Sequence, residues 1–200
     1  MINVFVAEDQ ALVRGALCAL LELEEDIHVV GQAENGKLAL DALKRLPVDV
    51  LLSDIEMPEM TGIELLETCR TQLPTLKTII VTTFGRAGYI KRALGAGVDG
   101  FLLKDAPSEE LAAALRKVMA GHKVIDPELA IAALDNIDPL SDKERKALRL
   151  AGEGKKTADI ASALFLSEGT VRNYLSEAIA KLNATNRVDA ARIARQKGWL

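Results

Sequence analysis

Four side chains in this 200-residue chain are spaced as a reaction centre would need them. Asp54 stands where the apolar run 48–53 stops, and Ile55-Glu56-Met57-Pro58-Glu59-Met60-Thr61-Gly62 then turns the chain away. Glu8-Asp9 follow the apolar run Ile2–Ala7, and Lys104 follows Gly100-Phe101-Leu102-Leu103. Three acids and a lysine at three strand ends suit a divalent cation together with a phosphoryl group. Magnesium takes hard oxygen ligands and keeps several waters, so Glu8, Asp9 and Asp54 can supply carboxylates. A main-chain carbonyl just past Asp54 can complete the set. Such a cation offsets the repulsion between a carboxylate nucleophile and an incoming phosphate, the main obstacle to phosphoryl transfer. Lys104 would hold a phosphoryl oxygen, and Thr82, ending a fourth apolar run, adds a hydroxyl to the same rim. Without a metal, clustered carboxylates repel and at least one pKa should rise.

Positioning these groups needs a sheet whose strands all end on one edge. Short runs rich in Val, Ile and Leu lie at residues 2–7, 28–33, 48–53, 77–82 and 100–103, as expected for strands covered on both faces. Helical patterns alternate with them. Leu12, Ala16, Ala19, Leu20 and Leu23 fall on one face of the first, and residues 36–46, 62–73 and 86–96 follow. Ser108 reads as the N-cap of a fifth helix, with Glu109 and Glu110 in its first turn. A fivefold strand–helix repeat over residues 1–120 predicts an α/β domain with a parallel five-stranded sheet, right-handed crossovers and function at the strand C-termini.

Residues 121–139 break this pattern with Gly121, Pro127 and Pro139 and read as a linker holding one short helix, 127–134. Residues 140–200 contain no convincing strand and read as an all-α domain of four helices. Ser141 caps the first (142–152), Thr157 starts the second (157–165), Ser167 caps the third (168–183), and the fourth runs over 186–197. The two-residue joint Leu166-Ser167 fits a helix-turn-helix. On the third helix Val171, Leu175, Ala178, Ile179 and Leu182 form an apolar stripe. Opposite lie Gly169, Asn173, Ser176, Glu177 and Ala180, flanked by Arg172 and Lys181. A face of small, hydrogen-bonding residues edged by cations can enter a major groove. The cations and the helix N-terminus would meet phosphates.

Charge is divided in the same way. Residues 1–136 carry 13 Lys/Arg against 21 Asp/Glu, and residues 137–200 carry 12 against 8, which points to different partners for the two parts. The hydrophobic fraction, 49%, is enough for a core in each part. Cys18 and Cys69 show neither metal-ligand spacing nor a disulfide framework, as in a reducing compartment. No secretory leader precedes the first strand, and no apolar run is long enough for a membrane helix, so the chain reads as cytoplasmic.

Residues 1–120 resemble the receiver domain of two-component response regulators, whose fold is flavodoxin- or CheY-like. The match runs through Glu8-Asp9, Asp54-Ile55-Glu56-Met57-Pro58, Thr82-Thr83, Ala96-Gly97, Gly100-Phe101 and Lys104, in order. The resemblance implies that Asp54 accepts a phosphoryl group from a sensor histidine kinase. Mg²⁺ would be bound by Asp9 directly, by Glu8 mainly through water, by Asp54, and by the Glu56 main-chain carbonyl. Thr82 and Phe101 would be the switch pair, with Phe101 swinging inward on activation, and Lys104 would bind the phosphate. Glu8 departs from the commoner Asp, a longer reach to the same water shell.

Residues 140–200 resemble the NarL/LuxR (FixJ) type of helix-turn-helix through Leu140-Ser141-Asp142-Lys143-Glu144, Gly154, Ile160-Ala161, Leu166-Ser167, Thr170-Val171-Arg172, Lys181-Leu182 and Asn186-Arg187. That resemblance implies that Arg172, Asn173 and Ser176 face bases of double-stranded promoter DNA. Thr170, Lys181, Lys156 and Thr157 would lie near phosphates, and the last helix would supply a dimer contact through Val188 and Ala191. The implied protein is a transcription regulator that forms a homodimer on activation and works with RNA polymerase. The segments Thr82-Thr83-Phe84, Gly88-Tyr89, 107–111, 169–176 and Gly198-Trp199-Leu200 are similar to a DesR-like subgroup. Two other readings stand beside this one. A regulator could use the first domain only as a dimer scaffold, independent of phosphorylation. A Mg²⁺-dependent aspartyl-phosphate phosphohydrolase could use the same pocket, but it usually has a cap domain, and the pattern offers none.

Overall fold

The computed structural model describes residues 1–83, 87–134 and 138–200. It contains two compact units, one built mainly from residues 1–133 and the other mainly from 134–200.

The first unit runs β1 (Ile2–Ala7), α1 (Ala11–Leu21), β2 (Ile27–Ala33), α2 (Gly36–Leu43), β3 (Val50–Ser53), α3 (Gly62–Gln72), β4 (Lys77–Thr82), α4 (Ala87–Gly95), β5 (Gly100–Leu103), α5 (Ser108–Met119), β6 (Val124–Ile125) and α6 (Pro127–Leu134). Every pair in the sheet is parallel, in the order β2-β1-β3-β4-β5-β6. The strands are apolar on both sides because helices cover both. Val4, Val6, Val50 and Leu52 pack with Leu21 of α1 and Leu111 and Leu115 of α5. The alternate residues Phe5, Ala7 and Leu51 pack with Leu40 of α2 and Leu65 of α3. Register then sets the edge: Ala7 pairs with both Ala33 and Ser53, and Ile80 with Phe101.

Three sequence expectations change here. The sheet has a sixth strand, β6, supplied by the segment read as linker, and Leu129 of α6 is buried with Ile80, Ile90 and Phe101. Two residues are too short for any periodicity to show. Helix α5 begins at Ser108 rather than being capped by it, and Pro107 occupies the N-cap position in an extended conformation. The apolar face read on the first helix faces solvent. Leu12 and Leu23 are 87% and 78% exposed, and it is Leu17, Cys18 and Leu21 that meet the core.

The second unit comprises α7 (Asp142–Gly152), α8 (Thr157–Leu164), α9 (Glu168–Lys181) and α10 (Arg187–Gln196). Ser141 and Glu144 form a reciprocal capping box at the start of α7, Ser167 caps α9, and Asn186 caps α10. Gly154, at φ +84°, ends α7 in the left-handed region. The core joins Leu148, Ile160, Val171, Leu175, Ala190 and Trp199. Phe165 ends α8 at φ 55° and ψ 45°, a conformation that favours glycine, with its ring 96% exposed. Among the described residues no helix is long and apolar enough to cross a membrane.

Candidate functional site

Backbone ladders bring the strand ends together. Glu8 N–H donates to Ala33 O at 3.0 Å, Asp54 N–H to Ala7 O at 2.9 Å, and Lys104 N–H to Thr82 O at 2.8 Å. The loop behind Asp54 folds back so tightly that only glycine fits at its end. A Cβ added to Gly62 would lie 1.8 Å from the Asp54 carbonyl oxygen. Gly62 also starts α3, where Thr61 and Glu64 form a second capping box. The helix cap, the glycine contact and the strand ladder together determine where Asp54 sits.

The acidic group is confined by this framework. Glu8 is fully buried and Asp54 is 7% exposed, whereas Asp9 is exposed. Each offers an oxygen within 4.8 Å of the others. Lys104 Nζ lies 2.6 Å from Glu8 Oε2 and 3.2 Å from Asp54 Oδ2. Glu8 Oε1 accepts from Gln10 N–H at 3.2 Å. Two buried carboxylates and one exposed carboxylate, each offering an oxygen to the same small space, fit a hard cation.

Electrostatics agree with the geometry. Burial pushes the Asp54 carboxyl up to about 6; Lys104 works against the rise and Glu8 adds to it. Burial would lower Lys104, but the Glu8 and Asp54 carboxylates outweigh it and hold the ammonium above its ordinary value. A nucleophilic carboxylate, a cation fixed beside it and a ready set of metal ligands can accept a phosphoryl group.

The remaining pocket residues are distributed as follows. Thr82 is buried at the end of β4. The Glu56 carboxylate is exposed and stands outside the acidic group, accepting from the Tyr89 hydroxyl at 3.1 Å. Phe101 is fully buried. A phenylalanine has no hydroxyl to be drawn outward by solvent, and Ile55, Ile80 and Ile90 surround it. Sequence reading passed over Arg14, whose Nη1 donates to Glu8 O at 2.5 Å and reaches Asp9 O at 3.4 Å, bracing the two acids from behind. Its place four residues into a helix after Gln10 was the available signal.

In the second unit the expected reading face is open. Arg172, Asn173 and Ser176 are exposed on α9, while Val171 and Leu175 are buried beneath. Arg172 is ion-paired to Glu168 one turn back, at 3.1 Å. Lys156 occupies the N-cap position of α8, Thr157 opens that helix, and Thr170 lies in the first turn of α9 with its N–H on Ser167 Oγ at 3.1 Å. Lys181 has a structural task. Its Nζ lies 2.8 Å from both oxygens of Glu144, a buried carboxylate. Burial alone would raise Glu144, but Lys181 and the Ser141 N–H bring it below the usual range. Of the two expected dimer residues, Val188 is 65% exposed but Ala191 is buried in the core.

Comparison with known proteins adds the family. Residues 4–116 match the response regulator receiver domain, and residues 138–194 match the bacterial regulatory proteins of the luxR family. The uncharacterized transcriptional regulatory protein YvfU of Bacillus subtilis is 50% identical over 200 residues, covering all of both chains. Transcriptional regulatory protein DesR of the same organism is 47% identical over 199 residues, covering 100% of this chain and 99% of DesR. RcsB from Salmonella enterica serovar Typhimurium, bound to promoter rprA in the presence of phosphomimetic BeF3−, superposes with a TM-score of 0.72 at 27% identity, covering 96% of this chain and 97% of that one. The chain belongs to the two-component response regulators, transcription regulators that join a receiver domain to a luxR-type DNA-binding helix-turn-helix.

Proposed function

We propose that Asp54 is the phosphoacceptor of this regulator, receives its phosphoryl group from a sensor histidine kinase, and thereby controls promoter binding by the second unit. The observation that carries this reading is the buried Asp54 carboxylate held 3.2 Å from Lys104, with Glu8 and Asp9 beside it. Glu8, Asp9, Asp54 and the Glu56 main-chain carbonyl would hold Mg²⁺, which, when bound, supplies charge neutralisation for an approaching phosphoryl group. Asp54 presents the attacking oxygen. Lys104 neutralises charge on the phosphoryl oxygens, and Thr82 adds a hydroxyl at the neighbouring strand end.

Arg172, Asn173 and Ser176 would face bases, with Lys156, Thr157 and Thr170 at phosphates, since all but the half-buried Thr157 and Thr170 are exposed. For Lys181 a phosphate must compete with Glu144. A single such unit binds weakly; two held together gain from effective concentration and read paired half-sites. The outward Leu12, Leu20 and Leu23 of the α1 region form an apolar stripe suited to a homodimer contact of receivers, and Val188 offers one on α10. RNA polymerase is the partner through which promoter binding would act, and the cytoplasm is where kinase and promoter meet.

The test is to treat the protein with Mg²⁺ and beryllofluoride and to sequence the genomic fragments it retains, with Asp54→Ala in parallel. Fragments enriched only for the activated wild type support the reading. Equal enrichment in every condition favours the phosphorylation-independent regulator instead.

A further inference from the structure

The acids at the end of β1 are held in different ways. Glu8 is fully buried and its N–H is tied to Ala33 O, and Asp54 is buried with its N–H on Ala7 O. Asp9 is exposed. Packing therefore fixes two of the three carboxylates and leaves the third to its backbone. The main-chain carbonyls of Glu8 and Asp9 belong to the two peptide groups that flank the Asp9 Cα. Among the described residues no backbone N–H donates to either of them. Helix α1 starts beyond both, and Gln10 at its N-cap position makes no side-chain cap bond.

Arg14 supplies the missing donor. Its own N–H continues the helix by donating to Gln10 O at 2.9 Å. Helix side chains lean toward the N-terminus, so a long one in the first turn reaches the residues ahead of the helix. Arg14 Nη1 accordingly serves both carbonyls, Glu8 O at 2.5 Å and Asp9 O at 3.4 Å. Both acceptors are main-chain oxygens, so the charge is directed at the backbone of the two acids rather than at a carboxylate. A peptide group is planar, and only two soft dihedrals join one plane to the next. Holding the carbonyls on both sides of Asp9 thus fixes the direction in which its Cα presents the side chain.

We propose that Arg14 is a positioning residue for the metal site, ordering Asp9 for Mg²⁺ through the peptide groups on either side of it. The proposal rests on the reading of Glu8, Asp9 and Asp54 as the Mg²⁺ ligands that assist phosphoryl transfer. Without this hold Asp9 keeps the ligating orientation only part of the time, and apparent affinity falls by that fraction. Releasing the backbone of one residue corresponds to about a tenfold loss.

The test uses full-length protein as wild type, Arg14→Met, Arg14→Lys and Val118→Ala. Val118 is fully buried in the core of the first unit, and its truncation is the control for a general loss of packing. Mg²⁺ binding is measured by titration calorimetry, amide hydrogen exchange without metal, and acetyl phosphate labelling across a range of Mg²⁺ concentrations. Arg14→Met should bind Mg²⁺ about tenfold more weakly. Its metal-free exchange should rise about threefold or more over residues 8–11. Arg14→Lys keeps a cationic donor and should bind within about threefold of wild type. Labelling of Arg14→Met should return to the wild-type rate once Mg²⁺ saturates, because the bound ion then orders Asp9 itself. Arg14→Met protein with wild-type Mg²⁺ affinity would overturn the proposal. So would an equal loss of affinity in Val118→Ala, or a labelling deficit that saturating Mg²⁺ does not relieve. Wild type that binds no Mg²⁺ would overturn the metal-site reading itself, and this proposal with it.

Discussion

Replacing Asp54 by Asn should stabilise the metal-free receiver, and by an amount that depends on pH. In the folded protein burial lifts the Asp54 carboxyl to about 6 from its ordinary 3.8. A group whose folded pKa is raised favours the fold while protonated and loses that contribution as pH climbs through the folded value. A shift of about two units, at about 1.4 kcal/mol each, means that ionised Asp54 costs the receiver about 3 kcal/mol above pH 7. Asn has the shape of the acid and never ionises. Asp54→Asn should therefore gain about 3 kcal/mol at pH 7.5, about half that near pH 5, and very little at pH 4. The assay is differential scanning calorimetry of the full chain in chelator across pH 4–8, reading the receiver transition, where the gain at pH 7.5 corresponds to roughly 10 °C. A gain that is absent at pH 7.5, or equal at pH 4 and pH 7.5, would refute the reasoning, because neither follows from relief of a buried charge.

Other perturbations test separate parts of the structure. Lys181→Ala strips the partner from the buried Glu144 carboxylate and should destabilise the second unit by about 2 kcal/mol at pH 7 in thermal denaturation. Glu144 is held below the usual carboxylate range, so that contribution exists above its unfolded pKa. It is lost as pH falls through the folded one, and the penalty should shrink in acid. Gly62→Ala forces a Cβ onto the Asp54 carbonyl and should cost roughly 3 kcal/mol in receiver stability, with weakened Mg²⁺ binding by titration calorimetry. Phe165→Gly removes left-handed strain and an exposed ring, and should raise the melting temperature of the second unit by the equivalent of about 1 kcal/mol. Arg172→Ala should weaken site-specific DNA binding by about 1–3 kcal/mol relative to non-specific DNA, measured by competition at fixed salt.

How much of this was legible in the sequence follows from what each signal encodes. The five longer strands and the site at their ends were readable because parallel, doubly covered strands are short apolar runs and their termini carry the chemistry. The caps at Ser141 and Ser167 were readable because they are local. The buried side of α1 was not. That helix is apolar nearly all round, and angular spacing identifies faces without saying which one meets the sheet. Leu17 and Leu21 took the core and left Leu12 and Leu23 outside. Strand β6 is two residues long and exists only because β5 offers it an edge. The tasks of Tyr89 and Lys181 were hidden for one reason. Each makes its contact across elements that only the fold brings together, and a cation or phenol in sequence does not name its partner.

The central claim is that Asp54 takes a phosphoryl group, and intact-protein mass spectrometry with site mapping tests it most directly. After incubation with acetyl phosphate and Mg²⁺, the wild type should gain the mass of one phosphoryl group, mapped to Asp54 and lost on treatment with hydroxylamine, while Asp54→Ala gains none. A wild type that takes no phosphoryl group, or one retained undiminished by Asp54→Ala, would contradict the account.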